Sequence, residues 1–247
     1  MSDPIWIHWH VPKTGGQTIR TALSDHLEVD QSVVHMGAWA AQMGFAITSN
    51  ADIASLDPTA RDRIKMVTGH KVNKETARLF GNRDVRKLVI LRSPASRIVS
   101  LFNFRRSLLE RQGLPPVDFD DWYESLARNS MTRFLSRRLG VGRGDLAGVL
   151  RELDDFHLVG KTEEMDTWLP DLFATLGLPP ILPERVNVTG VDHERLLTLD
   201  DRLAARILED HPLDFALYDA VDEMCEQSRD RLRDLAESVE SRVARHN

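Results

Sequence analysis

Hydrophobic and polar residues alternate at the start of the chain and then change their period. From Ile5 to Val11 every second residue is apolar, and Pro12 and a pair of glycines soon follow. Alternation that ends in turn residues predicts a strand leading into a tight turn. From Gln17 to Leu27 apolar residues recur every four positions, which predicts an amphipathic helix. The predicted order is therefore strand, glycine loop, helix.

Three further runs of β-favouring residues are separated by stretches with helical spacing. They are Met66–Thr68, Lys87–Leu91 and Phe156–Gly160. Strands that alternate with helices are typical of a parallel sheet with helices on its faces. From about residue 200 the apolar residues again recur with helical spacing, between charged positions. We therefore expect an α/β fold with a central parallel sheet, one domain over 1–247, and a helical C-terminal part over about 200–247.

The best-defined helix follows the run that ends at Leu91. Ser93 is placed to cap this helix, Pro94 suits its first turn, and an apolar stripe begins at Ile98. Arg92 would then lie at the carboxyl end of a strand, which is where open α/β sheets bind ligands.

The charge balance excludes some classes of protein. The 247 residues include 32 Lys and Arg against 38 Asp and Glu, a net charge of −6, which argues against a broadly basic nucleic-acid-binding protein. No stretch approaches the roughly 18 apolar residues of a membrane span, and the first residues do not have the pattern of a signal peptide. The single cysteine, Cys225, has no intramolecular partner, so we expect a buried structural thiol in a cytoplasmic protein.

Candidate chemistry concentrates in the loop between the first strand and the first helix. Gly15 and Gly16 let backbone N–H groups approach an anion closely, and the start of the helix adds partial positive charge. Lys13 adds a full positive charge, and the hydroxyls of Thr14 and Thr18 offer further donors. These features predict a phosphate site; the other interpretation is a plain turn with a surface lysine.

Two stretches of the sequence resemble a known family. In the nucleoside triphosphatase loop, Gly-Lys-Ser/Thr follows a first glycine after a gap of four residues, whereas here the lysine precedes the glycines. The run His10–Thr18 instead resembles the 5′-phosphosulfate-binding loop of the sulfotransferase superfamily, particularly the branch with glycan 2-O-sulfotransferases and many bacterial relatives. Leu88–Ser100 resembles the family's 3′-phosphate-binding strand and helix, with Ser93 where the family commonly has Asp. Three shorter stretches follow in family order: Thr68–His70, Asn129–Leu135 and Leu158–Glu163.

This resemblance implies a P-loop-like three-layer fold and sulfuryl transfer from 3′-phosphoadenosine 5′-phosphosulfate (PAPS) to an acceptor hydroxyl, with no metal required. In-line transfer of this kind depends on positioning and charge stabilisation, so cations are needed near the leaving phosphate. Lys13 would act there catalytically, and Arg92 with Ser100 would hold the 3′-phosphate. The implied donor-binding residues are Lys13, Thr14, Gly15, Gly16, Gln17, Thr18, Arg92 and Ser100.

A histidine is suited to remove the acceptor proton at neutral pH. Of the nine histidines, His70 follows a predicted strand end and aligns with the Gly-His element in which related glycan sulfotransferases place their base. A structural histidine at that strand end is the other interpretation. His8 and His10 share one face of the first strand, and we expect them to be partly buried polar positions, because two histidines are too few for a metal site.

Four further features are weaker candidates. Arg133 could reach a donor phosphate or an anionic acceptor, and Arg97 could assist Ser100 or form a salt bridge. Lys161 and Thr162 could edge the site, although a lysine beside two glutamates is usually solvated. The segment 183–190 falls where family members fold a lid over the nucleotide.

Two other classes of function stay open. One is a nucleotide kinase or other phosphoryl-transfer enzyme. The absence of Gly-Lys-Ser/Thr from the loop sequence and the presence of the Arg92/Ser100 pair argue against it. The other is a non-catalytic nucleotide-binding module that keeps the loop. The expected partner is a small-molecule or glycan acceptor rather than nucleic acid.

Overall fold

A five-stranded parallel sheet forms the centre of the molecule. The computed structural model describes residues 4–29, 31–179 and 196–244. The strands lie in the order β2-β3-β1-β4-β5. They are β1 (Ile5–Trp9), β2 (Val33–His35), β3 (Met66–Gly69), β4 (Val85–Leu91) and β5 (Leu158–Lys161).

Helices connect the strands and form most of the remaining structure. They are α1 (Gly16–Ser24), α2 (Ala38–Gln42), α3 (Asn50–Ser55), α4 (Pro58–Arg63), α5 (Lys74–Arg78), α6 (Pro94–Arg111), α7 (Phe119–Ser125), α8 (Ser130–Leu139), α9 (Leu146–Leu153), α10 (Met165–Thr175), α11 (Asp201–Asp210), α12 (Pro212–Ala220) and α13 (Asp222–Ala244). The predicted α/β class with a parallel sheet and a helical C-terminal part is confirmed. None of the helices in the described ranges is both long and apolar enough to cross a membrane.

Helices cover both faces of the sheet, which gives three layers. On one face α1 and α10 pack through residues such as Leu23 and Trp168, both buried. On the other face α8 and α9 pack through residues such as Leu135 and Val149. A strand whose two faces are both covered loses the polar alternation of a half-exposed strand, and every residue of β1 is buried.

The C-terminal helix α13 lies along the edge strand β5. The hydroxyl of Ser228 accepts a hydrogen bond from the backbone N–H of Val159 at 3.0 Å, so a side chain satisfies a donor of the sheet edge. Cys225, on the same helix, is buried, and burial raises the pKa of its thiol to about 12. The expectation of a buried thiol is confirmed.

The parallel register brings the carboxyl ends of the strands to one edge. Trp9 at the end of β1 lies opposite Gly69 at the end of β3. Leu91 at the end of β4 lies opposite Lys161 in β5. The segments that follow β1, β3 and β4 therefore leave the sheet at the same edge, and these segments begin with the loop, His70 and Arg92.

The structure differs from the sequence predictions at several boundaries. Strand β2 was not predicted, β1 ends at Trp9 rather than Val11, and α1 ends at Ser24. The predicted capping role of Ser93 is wrong, because its side chain makes no cap hydrogen bond. Its backbone N–H instead donates to Glu163 Oε1 at 3.0 Å.

Two helices cap each other through side chains. The carboxylate of Asp214 in α12 accepts from the backbone N–H groups of Met131 and Thr132, at 3.0 and 2.7 Å, in the first turn of α8. In return, the side-chain oxygen of Asn129 accepts from the N–H groups of Leu213 and Asp214, at 2.9 and 3.3 Å. This exchange satisfies the free N–H groups at both helix starts and fixes α8 against α12.

Candidate functional site

The loop after β1 presents backbone N–H groups at the start of α1. Gly15 lies in the left-handed region, with φ of 85°, and Lys13 also has a positive φ of 69°. No side chain caps the first turn of α1, and that turn contains no acidic residue. An uncapped helix start with free N–H groups and a positive dipole end is a suitable place for an anion.

A positive φ at Gly15 and close packing at Gly16 explain why two glycines follow each other in this loop. A Cβ atom on Gly15 would lie 2.3 Å from Met165 Cε, and one on Gly16 would lie 1.9 Å from His10 Nε2. The hydroxyl of Thr14 donates to the carbonyl of Val11 at 2.9 Å and is buried, so it closes the loop and is not a donor for a ligand. Only the backbone N–H of Thr14 remains for the role predicted from the sequence.

Two cations meet at this loop. Arg92 Nη1 donates to the backbone carbonyl of Lys13 at 3.4 Å, which ties the residue after β4 to the loop after β1. Burial lowers the pKa of Lys13, and the positive charge of Arg92 lowers it further. Burial also lowers the pKa of Arg92, while the carboxylate of Glu163 opposes this effect. A second negative group placed between the two cations would relieve their repulsion.

The other predicted donor-binding residues lie on the helices that begin at this edge. Gln17 and Thr18 are in the first turn of α1 and are partly exposed. Ser100 lies on α6, two turns after the helix start, and is half-buried. Within the described ranges no hydrogen bond is recorded for the Ser100 side chain, so its hydroxyl is available to a ligand.

His70 is held at the end of β3 with one ring nitrogen committed. Its Nδ1 lies 2.9 Å from the backbone carbonyl of His10, and the two rings are tilted by 33° with centroids 4.4 Å apart. Because a carbonyl oxygen can only accept, Nδ1 carries the proton, and Nε2 of the neutral ring keeps a free lone pair. Burial lowers the pKa of His70, the bond to His10 opposes this, and the charge of Arg138 lowers it further. Part of the His70 side chain remains exposed to solvent, so this burial is incomplete.

The rings of His8, His10 and His70 lie in succession and form what we call the histidine stack, of which His70 is the outermost ring. The rings of His8 and His10 have centroids 5.2 Å apart, and His8 Nδ1 bonds with the hydroxyl of Thr68 at 2.9 Å. His8 is fully buried, which lowers its pKa to about 3, and burial also lowers the pKa of His10 well below its ordinary value. The expectation that these two histidines are partly buried polar positions is confirmed, and for His8 the burial is complete.

The positions of Arg97 and Lys161 decide between their interpretations, whereas the role of Arg133 stays a prediction. Arg97 is buried and pairs with Asp214 at 3.6 Å, so it forms the salt bridge that the sequence left open. Lys161 pairs with Asp222 and is buried rather than solvated. Arg133 is half-buried on α8, and no ion pair of it is recorded in the described part of the chain. The segment 183–190 lies outside the described residues.

Sequence reasoning missed two residues of this site. Phe104 places its ring over the ammonium of Lys13, with the nitrogen 4.5 Å from the ring centroid. Its position four residues after Ser100 on the same helix is a signal that could have found it. Glu163 accepts from the backbone N–H of Ser93 and from the hydroxyl of Tyr218, at 3.0 Å in each case.

Taken together, the fold and the site define an α/β protein with an uncapped strand–loop–helix element, two cations and a histidine at one edge of a parallel sheet. Among the described residues, no group of three or more His, Cys, Asp or Glu side chains is arranged to hold a metal ion.

Comparisons with known proteins give structural similarity only. No protein-family model and no curated protein sequence matches the chain. A solved sulfotransferase from Alicyclobacillus acidocaldarius is 17% identical, with a TM-score of 0.48, over 90% of this chain and 96% of its own. The mouse sulfotransferase SULT7A1, solved in complex with PAP, is 14% identical, with a TM-score of 0.42, over 88% of this chain and 66% of its own. At such low identity these similarities do not assign an activity to this chain.

Proposed function

We propose that this protein is a PAPS-dependent sulfotransferase that transfers a sulfuryl group to an acceptor hydroxyl. The observation that carries the proposal is the meeting of Lys13 and Arg92 at an uncapped helix start, where Arg92 donates to the carbonyl of Lys13 and its positive charge lowers the pKa of Lys13. A nucleotide with phosphates at both its 5′ and 3′ positions would supply negative charge to both cations.

The residues of the loop fit the 5′ end of such a donor. The N–H groups from Gly15 to Thr18 would bind the 5′-phosphate, and the glycines leave the backbone open to it. Arg92 and Ser100 would bind the 3′-phosphate through charge-assisted hydrogen bonds, which distinguishes this donor from ATP and ADP. PAPS supplies the activated sulfuryl group, bound through an oxygen to the 5′-phosphate.

His70 and Lys13 would divide the chemistry between them. As the acceptor oxygen forms its bond to sulfur, its proton passes to Nε2 of His70, whose other nitrogen is held by His10. The bond between sulfur and the bridging oxygen breaks at the same time, and negative charge grows on that oxygen. Lys13 would stabilise this charge, so that the 5′-phosphate leaves as part of adenosine 3′,5′-bisphosphate (PAP).

Calorimetric titration with PAP, beside ATP and ADP and without magnesium, tests the proposal without knowledge of the acceptor. We expect binding of PAP alone, weakened by about 10- to 100-fold in Lys13→Ala and Arg92→Ala, since each substitution removes a charge-assisted contact. A preference for ATP over PAP would overturn the proposal and favour a nucleotide kinase. Failure of the folded protein to bind any of the three nucleotides would overturn it as well and favour an unrelated binding function.

A matched pair of serines on α6 tests the 3′-phosphate site. Ser100→Ala should weaken the affinity for PAP by about tenfold and leave the affinity for adenosine 5′-phosphate unchanged, because that nucleotide lacks the 3′-phosphate. Ser96→Ala, one turn earlier on the same helix, is the control and should change neither affinity. Equal effects of the two substitutions would remove Ser100 from the site.

A further inference from the structure

Phe104 is exposed at a position where its ring faces a cation. Its side chain is 41% exposed, and among the most exposed large hydrophobic residues of the described ranges it is the only aromatic one. Lys13 Nζ lies 4.5 Å from its ring centroid, within the distance at which a ring face attracts an ammonium group. Burial of Phe104 in the core therefore does not explain its place on α6, whereas contact with Lys13 does.

Lys13 needs an attractive partner where it lies. The positive charge of Arg92 is close enough to lower the pKa of Lys13, so the two cations repel each other. In the described part of the chain, no carboxylate forms a recorded ion pair with Lys13. Its backbone also has a positive φ, which a lysine adopts only when its surroundings hold it there.

We propose that Phe104 is a positioning residue, whose ring holds the Lys13 ammonium at the loop after β1 against the repulsion of Arg92. This inference rests on the proposed function, in which Lys13 contacts the 5′-phosphate and the bridging oxygen. A flexible lysine loses conformational freedom when it binds a phosphate, and a ring that already orients the ammonium reduces this loss. Phe104 thus acts through Lys13 and need not contact the donor.

Two nucleotides separate this role from a direct contact with the donor. PAP has the 5′-phosphate that Lys13 would bind, whereas adenosine 3′-phosphate lacks it. Phe104→Leu should weaken the affinity for PAP by about three- to tenfold, the range that a cation–π contact contributes. The affinity for adenosine 3′-phosphate should stay unchanged. Phe104→Tyr keeps a ring face and should restore the affinity for PAP. Leu114→Ala, which shortens another exposed apolar side chain just after α6, is the control.

Equal weakening of both nucleotides by Phe104→Leu would overturn the inference, because it would indicate a contact with the nucleoside or a general loss of structure. Unchanged binding of both would overturn it as well. In either case Lys13→Ala should still weaken PAP if the proposed function holds, so the two failures can be told apart.

Nuclear magnetic resonance tests the pairing in the ligand-free protein. Lysines are dimethylated with ¹³C-labelled formaldehyde, and the Lys13 signal is assigned by its loss in Lys13→Arg. We expect that signal to be shifted upfield by the ring current, to lose the shift in Phe104→Leu and to keep it in Phe104→Tyr. An unshifted signal in the wild-type protein overturns the inference. A shifted signal in a protein that binds neither nucleotide supports the pairing and overturns the proposed function alone.

Discussion

His70 donates through Nδ1 to the backbone carbonyl of His10, 2.9 Å away, and so connects the residue that follows β3 to the residue that follows β1 and leads into the glycine loop. The bond fixes the tautomer of His70 and the direction of its ring. Nε2 is left as the atom that can accept a proton. The proposed general base is therefore oriented by the residue at the start of the proposed donor-binding loop.

Replacement of this base should abolish transfer and spare donor binding. We expect His70→Gln to lower kcat by at least about 100-fold, the usual contribution of a general base, with PAP affinity unchanged. The measurement is transfer of radiolabelled sulfate from PAPS to an acceptor found by screening, beside calorimetric titration with PAP. His26→Gln, an exposed histidine after α1, is the control. Full activity of His70→Gln would exclude His70 as the base.

The pH dependence of the wild-type enzyme should agree with this role. Burial and Arg138 lower the pKa of His70, so the ring is in its neutral, proton-accepting form at neutral pH. The value of kcat/KM should rise with pH, and the midpoint of this rise should lie below about pH 6.5, the ordinary pKa of histidine. A rise centred well above that pH would indicate a different base.

A methyl group on Gly16 should disturb both the loop and the histidine stack. In an open helix position, replacement of glycine by alanine stabilises a protein by about 0.5–1 kcal/mol. Here the added Cβ would lie 1.9 Å from His10 Nε2, and the ring has little room to move because it stacks between His8 and His70. We expect Gly16→Ala to lower the free energy of unfolding by about 1–3 kcal/mol and PAP affinity by at least about tenfold.

Thermal and urea unfolding of Gly16→Ala, followed by titration with PAP, measure these effects. The matched control is Gly142→Ala, where a Cβ would meet only the Asp145 side chain, at 3.5 Å or more. A Gly16→Ala protein as stable as the wild type would mean that the ring of His10 can give way.

The local parts of this fold were predictable, and the non-local parts were not. Alternation and helical spacing are visible within about ten residues, so β1, its loop and α1 could be found in the sequence. Strand β2 has only three residues, Val33–His35, which is too short to show a period, and it exists through its pairing with β3.

The same division applies to the site. Glycines beside a lysine pointed to the loop without any knowledge of tertiary structure. The contacts of Gly16 with His10 and of Lys13 with Phe104 join residues on separate elements, so spacing alone could not show them. Arg97 stayed open for the same reason, because its partner Asp214 lies far along the chain.

Acid should destabilise the protein through His8. The folded protein holds His8 neutral down to about pH 3, because burial and then the charges of His70 and His35 lower its pKa, whereas the unfolded chain binds a proton near pH 6.5. The unfolded state thus binds more protons below pH 6.5, so stability is full above that pH and falls as the pH drops toward 3. The slope approaches about 1.4 kcal/mol per pH unit for one such histidine.

Urea unfolding between pH 7 and pH 5 measures this slope. His35, whose pKa is lowered to about 4 by burial and Arg20, adds to it in the same direction. His8→Gln removes the titrating group, so its slope should be smaller by about one proton. A wild-type slope equal to that of His8→Gln would contradict the prediction.

The buried carboxylate of Asp214 should be the most sensitive structural position outside the phosphate loop. It accepts from two backbone N–H groups and the hydroxyl of Thr132, at 2.7–3.0 Å, and pairs with Arg97 at 3.6 Å. Asp214→Asn removes the negative charge and leaves Arg97 buried without it, while the new amide group offers donors to a site that already contains donors. We expect a loss of about 3–5 kcal/mol in the free energy of unfolding, measured with urea at neutral pH.

The control is Asp219→Asn, at an exposed residue on the same helix, which should change the free energy of unfolding by less than about 0.5 kcal/mol. If both substitutions cost the same small amount, the pair of Arg97 and Asp214 does not fix α6 against α12.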